Sequence, residues 1–234
     1  MKKEEYSEKC SEKKLSGFTL IELIVVIAII GILASIIVPN MIGHMESAYN
    51  AADAENARII CSTIQAEAMY ESNFEVFTKN PWIYQVGGQQ ADDHGYIYVD
   101  KNEVRVSSYR IAELLQEQGF ITSASQYSRH GGAVVKDENN IEIAHEYVYR
   151  RPVCSRMLCK SNKTWYRYQV NICYRDGTIK FTYSAVSKTG EIKNDTNMSS
   201  TNNTIDRGAS QKFAEKAGLG EADLYTSLGD NSTP

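Results

Sequence analysis

One carboxylate, Glu22, stands at the entrance to an otherwise uncharged apolar run from Leu23 to Val38. An ionised side chain at membrane depth costs roughly 2.5–3.5 kcal/mol on insertion scales, so it ordinarily marks a contact with a partner charge. Sulfur supplies a second set of reactive groups: Cys61, Cys154, Cys159 and Cys173, with Cys10 near the start of the chain. These thiols could form disulfides, stay free, or hold zinc through Cys154, Cys159 and Cys173, with Cys61 or His145 as fourth ligand. The usual zinc pair is about two to four residues apart and has a matching second pair, which this spacing lacks. Asp92, Asp93 and His94 offer donors for a cation, but read first as a solvated loop before a strand. Arginines alternate with aromatics at Tyr147, Tyr149, Arg150 and Arg151 and again at Trp165, Tyr166, Arg167 and Tyr168. That pattern could stack on DNA or a glycan, yet alternate tyrosines are also what a half-buried strand selects. No nucleophile elbow, phosphate-binding loop or paired-carboxylate pattern stands out, so no catalytic residue is assigned and the chain reads as a non-enzyme.

The element that carries Glu22 runs from Phe18 to Val38, about the ~20 residues a membrane-spanning helix requires. Lys13 and Lys14 precede it and favour a cytoplasmic location for the segment before the run, so the remainder is expected outside. A secretory signal peptide would place small residues after its apolar core, whereas Ser16 and Gly17 come before it. A plain membrane anchor would have no use for Glu22.

The order Gly17, Phe18, Thr19, Leu20, Ile21, Glu22, followed by the apolar stretch, closely resembles the prepilin signature of type IV pilins and related pseudopilins of type II secretion. The resemblance implies cleavage between Gly17 and Phe18 by a prepilin peptidase, N-methylation of Phe18, and a filament-assembly role for Glu22 toward the α-ammonium of Phe18 on a neighbouring subunit. It also implies a helix kink at Pro39, which lacks an N–H. The leader's 17 residues mix five lysines with four glutamates, and in that respect resemble Gram-positive prepilin leaders.

The expected fold is α+β: a type IV pilin fold in which a long N-terminal helix, membrane-spanning in its first half, packs on an antiparallel sheet. Four segments follow: a cleaved leader 1–17, a hydrophobic transmembrane and filament-core helix 18–40, an amphipathic continuation 41–80, and a globular head 81–234. Ile42, Met45, Tyr49, Ala52, Ile59, Ala66 and Tyr70 recur at helical spacing and are expected on the packed face, with Glu46, Asp53 and Arg58 between them. Pro81 is expected to stop the helix. Strands are expected at 95–99, 103–106, 133–135 and 141–149, and a helix from Tyr109 to Gln118 ended by Gly119. Alternation over 166–174 and 179–185 about Asp176 and Gly177 predicts a hairpin whose apolar face lies on the stem helix. A polar loop from Asn194 to Ser210 and a short helix at 211–217 complete the head.

On the hairpin, Cys173 falls opposite Ile172 and Tyr174, away from the helix carrying Cys61, which disfavours a Cys61–Cys173 bridge. The expectation is a disulfide within Cys154, Cys159 and Cys173, stapling the basic loop of Arg150, Arg151, Arg156, Lys160 and Lys163 onto the outer sheet face. The whole chain carries −4, and without the leader's net +1 about −5, which argues against a general nucleic-acid surface. No cofactor is inferred: zinc remains the rival of the disulfide, and no regular Asp/Asn repeat marks calcium. The function expected from the resemblance is a pilus subunit, tilted by the size of its head toward a minor pilin, serving adhesion, motility or biofilm formation. The precursor would be a single-pass membrane protein with its head outside, embedded in lipid, and the product an extracellular filament. Its partners would be itself, other pilins, prepilin peptidase and the assembly-platform proteins. The alternatives are a pseudopilin of a type II secretion or DNA-uptake machine and a membrane-tethered adhesin.

Overall fold

A computed structural model of the chain describes residues 18–70, 74–86, 94–186 and 207–222. Helix α1 (Leu20–Ala68) is followed by α2 (Glu75–Thr78), α3 (Pro81–Val86), β1 (Gly95–Val99), β2 (Val104–Val106) and α4 (Tyr109–Glu117). Then come β3 (Ser128–Arg129), β4 (Val135–Lys136), β5 (Glu142–Ala144), β6 (Tyr147–Tyr149), β7 (Arg167–Arg175), β8 (Thr178–Val186), α5 (Arg207–Ala217) and β9 (Glu221–Ala222). The layout is α+β, a long N-terminal apolar helix followed by a sheet in which antiparallel pairing dominates. The chain divides into two units, 1–44 and 45–234.

In the first unit, the described residues from Phe18 to His44 are helical from Leu20 and exposed, save half-buried Ala34. Pro39 lies inside the helix without interrupting it. Ser35 Oγ donates to Ile32 O at 2.6 Å and Asn40 Nδ2 to Ile36 O at 3.4 Å, side-chain bonds that flank the position where proline supplies no donor.

In the second unit, the buried stripe of α1 is Asn50, Asp53, Ala54, Asn56, Ala57, Ile60, Cys61, Ile64 and Ala68. This corrects the expected face: Ile42, Met45 and Tyr70 are exposed, while Asp53, expected among the solvated charges, is fully buried. Apolar periodicity misses the stripe because three of its members are polar and hydrogen-bond to groups distant in sequence. The helix also ends earlier than Pro81. Met69 N–H and Tyr70 N–H donate to Ala66 O and Glu67 O, three residues back, tightening the last turn. Pro81 instead opens α3, where its missing N–H costs nothing, and Asn80 Oδ1 accepts from Trp82 N–H at 3.0 Å as the cap.

Among the described residues seven strands form one sheet in the order β3-β6-β2-β1-β7-β8-β9, and β4 pairs with β5 separately. Every pairing is antiparallel except the edge pair β8–β9, which is parallel and makes the sheet mixed. The expected hairpin is β7–β8, registered from Arg167↔Val186 to Arg175↔Thr178. Its turn places Asp176 and Gly177 at φ 54° and 78°, the two left-handed positions of a type I′ turn. Tyr168, Val170, Ile172, Phe181, Tyr183 and Ala185 join Ala54, Ala57, Ile60, Cys61 and Ile64 in the main core. Phe213 of α5 closes it, stacked on Tyr168 with ring centroids 4.5 Å apart. Helix α4 follows the sequence closely: Ser108 Oγ accepts from Ile111 N–H, and Gly119, at φ 66°, ends it with Phe120 N–H donating to Leu115 O.

Candidate functional site

Glu22 occupies the third position of α1 and Thr19 its cap, the T-x-x-E arrangement of a capping box. Its carboxylate accepts from Thr19 N–H at 2.8 Å and from the Thr19 hydroxyl at 2.7 Å, while Glu22 N–H donates to that hydroxyl at 3.4 Å. The acid also lies at the positive end of the helix dipole. A partner therefore exists inside the chain, and the signal, threonine three residues before glutamate, was present in the sequence. Phe18 is 88% exposed, with no covering for the aromatic ring that precedes the cap. Gly17 lies outside the described residues. Among those residues α1 is the one helix long and apolar enough to cross a membrane, and none of its apolar window is buried. What this end of the molecule offers chemically is one hydrogen-bonded carboxylate on a wholly unsatisfied apolar surface.

A second site was not legible in the sequence. Glu46 and Asp53, two turns apart on α1, gather the amides of a loop more than a hundred residues later. Glu46 accepts from Ser161 Oγ at 2.6 Å and from the backbone N–H groups of Asn162, Lys163 and Thr164 at 3.1, 2.9 and 3.1 Å. Asp53 accepts from Lys160 N–H at 2.9 Å, Ser161 N–H at 3.0 Å and Trp165 Nε1–H at 2.9 Å. Partial burial opposes the Glu46 charge, but the Ser161 hydroxyl and three amides outweigh it and hold the carboxyl down at about 2. Asn50 Nδ2 adds a bond to Thr164 Oγ1 at 2.8 Å and Asn56 Nδ2 one to Arg156 O at 2.5 Å. The loop is thus clamped onto the stem helix, which corrects the expectation that it is stapled to the outer face of the sheet.

The four cysteines within the described residues form no disulfide, which corrects the expected bridge among Cys154, Cys159 and Cys173. Cys61 lies 3.2 Å from the Tyr183 hydroxyl, and burial pushes its thiol up to about 12. Cys159 Sγ donates to Asp53 at 3.5 Å; burial, then the Asp53 charge, push it up as well. Both are poor nucleophiles at neutral pH. Cys173 is buried but lies outside the main core that holds Cys61 and Cys159, on the opposite side of its strand from Ile172. Cys154 is half-buried. Among the described residues no group of three or more His, Cys, Asp or Glu side chains is placed to hold a metal ion, so the zinc set of Cys154, Cys159 and Cys173 is not assembled. His145 is buried against the Tyr147 ring, 5.7 Å between centroids. Asp92 and Asp93 lie outside the described residues; His94 is half-buried.

The aromatic and basic residues are also largely engaged. Trp165, Tyr149 and Tyr168 are fully buried core. Arg156 donates to Gln118 O at the end of α4 and lies over the Phe120 ring at 4.7 Å. Arg58 caps α5 in the same way, donating to Ala217 O at 2.9 Å and Lys216 O at 3.1 Å. Arg150 pairs with Glu103 at 2.8 Å. Neither segment presents the exposed row of rings that stacking on a single strand or a glycan needs.

The model of the prokaryotic N-terminal methylation motif matches residues 13–38. The chain is 57% identical over 37 residues to the type II secretion system core protein G of Aeromonas hydrophila, covering 16% of this chain and 26% of that protein. Its counterpart in Escherichia coli (strain K12) is 60% identical over 35 residues, 15% of this chain and 24% of that one. The type IV wide pilus major component PilA4 of Thermus thermophilus is 34% identical over 68 residues, 29% of this chain and 50% of that one. The chain thus spans about a quarter of the length of the secretion-system relatives and half of the pilus component. No solved structure matches. The N-terminal region is therefore a type IV pilin-like prepilin signature.

Proposed function

We propose that this chain is a structural subunit, made as a membrane-anchored prepilin and assembled through its N-terminal helix into a type IV pilin-like filament. The observation that carries the reading is the prepilin signature at 13–38 on a helix whose apolar window is unburied among the described residues. Residues 1–17 are the leader, cut between Gly17 and Phe18, and Phe18 is the methylated N-terminus. Before assembly lipid covers the apolar helix; afterwards neighbouring helices do. Loss of Glu22 removes both the capping acceptor and a negative charge able to receive the Phe18 ammonium of a neighbour, and an unpaired buried charge costs on the order of 3–5 kcal/mol. Pro39 gives the helix a place to bend without losing a backbone bond.

Mass spectrometry of sheared surface filaments from wild type and Glu22→Ala tests this. Wild-type filaments should contain a chain beginning at methylated Phe18, and the variant should be missing from filaments while its head remains folded. A chain that keeps residues 1–17 and stays in the membrane would overturn the reading. The similarity to type II secretion core proteins favours a second reading, a pseudopilin in a short periodic assembly. In that case the mature chain is found in the membrane fraction and is scarce in sheared material.

A further inference from the structure

The clamp at Glu46 and Asp53 uses the backbone of the 159–164 loop and leaves its cations unengaged. The loop contains Lys160 and Lys163 and no acid. Their amides bind the stem carboxylates, but among the described residues neither ammonium has a carboxylate partner. Lys163 is exposed and Lys160 half-buried. Lys101 approaches the same loop, its Nζ donating to Ser161 O and, at 3.2 Å, to Asn162 Oδ1. Of the nearby acids, Glu46 and Asp53 are taken up by amides, and Asp100 receives the Tyr98 hydroxyl at 3.1 Å and Asn102 N–H at 3.3 Å. The result is a rigid basic loop on a chain whose net charge is negative.

Its place along the chain gives the charge a meaning. Glu46 follows Val38, the end of the apolar run, by eight residues. Eight residues rise about 12 Å as a helix and reach about 27 Å at full extension. The chain therefore tethers Glu46, and the loop clamped on it, within about 27 Å of the end of the apolar run. An overall acidic body would be repelled by an anionic leaflet, whereas a basic loop at this position is attracted.

We propose that the 159–164 loop is a membrane-surface contact, in which Lys160 and Lys163, with Lys101 behind them, bind the phosphate of anionic phospholipids before the subunit leaves the bilayer. The proposal rests on the reading of the apolar helix as a membrane anchor. Each surface lysine contributes about fivefold to attraction toward an anionic leaflet, so the pair contributes about 5- to 25-fold after screening.

The test places the full chain in nanodiscs of mixed phosphatidylcholine and phosphatidylglycerol and counts co-released lipids by native mass spectrometry. Wild type should retain phosphatidylglycerol preferentially, and Lys160→Gln/Lys163→Gln should lower that preference by about 5- to 25-fold. Lys160→Arg/Lys163→Arg should keep it, since charge is preserved and these two residues enter the clamp only through their backbone N–H groups. Added inorganic phosphate at millimolar concentration should leave the preference unchanged, because the loop acts on a lipid surface; competition by phosphate would overturn the lipid assignment. An unchanged preference in the glutamine variant, with unchanged circular dichroism, overturns the proposal alone. Failure of the chain to enter the discs overturns the anchor reading and this proposal with it.

Discussion

Replacing Asp53 by alanine should be among the most damaging single changes in the head. Three N–H donors, from Lys160, Ser161 and Trp165, converge on that carboxylate. Lys160 is half-buried and its amide can turn to water, but Ser161 and the Trp165 indole are fully buried. Each buried donor left without an acceptor costs about 1–3 kcal/mol, so the two orphaned groups cost about 2–6 kcal/mol. That is a large part of the ~5–15 kcal/mol that holds a domain together. At about 2–4 °C per kcal/mol for a domain of this size, the melting temperature should fall by about 8–16 °C for a mid-range loss of ~4 kcal/mol. Tryptophan fluorescence of the full chain in detergent micelles reads the transition, because Trp165 is one of two tryptophans and loses its buried carboxylate partner. Asp53→Asn keeps one oxygen acceptor but turns an N–H₂ toward N–H donors, and should fall between wild type and alanine. A fall below about 2 °C for Asp53→Ala would mean the loop re-solvates freely, and the clamp would then have no energetic weight.

Folding lowers the Glu46 carboxyl from the usual 4.5 to about 2, so its contribution is complete above the ordinary glutamate range and is lost as pH falls from about 4.5 to about 2. Melting temperature should decline across that window in wild type and decline less in Glu46→Gln; parallel profiles would show that Glu46 is not the titrating group. Gly95→Ala should destabilise the head by about 1–3 kcal/mol or more, since a Cβ there would lie 1.8 Å from Phe77 O, a backbone atom that cannot swing aside. Urea titration of the full chain in micelles checks it, and a midpoint equal to wild type would show that β1 and α2 separate easily.

Local chemistry made some parts of this protein readable without coordinates. The stretch from Gly17 to Glu22 and the uncharged run behind it specify a prepilin-like N-terminus by residue order alone. Asp176 and Gly177 between two alternating runs specify the β7–β8 hairpin, because a type I′ turn and a two-residue period are both short-range properties. Ser108 and Gly119 bracket α4 for the same reason. The capping box of Thr19 and Glu22 was also legible, although a search for a charged partner looks past it.

Tertiary structure decided what depends on groups far apart in sequence. The buried stripe of α1 contains Asn50, Asp53 and Asn56, and those side chains are tolerable inside only because Thr164, the amides of 160–161 and Arg156 O meet them there. Hydrophobic periodicity has no access to such partners, so it placed Asp53 in water, and the expected disulfide among Cys154, Cys159 and Cys173 put the basic loop on the wrong face. The parallel edge strand β9 is likewise set by α5 docking on β8, where Ser210 Oγ accepts from Ala185 N–H at 2.9 Å, a contact that two residues of strand do not announce. Short-range order wrote the ends and turns of this chain; long-range hydrogen bonding chose which face of the stem helix it buries.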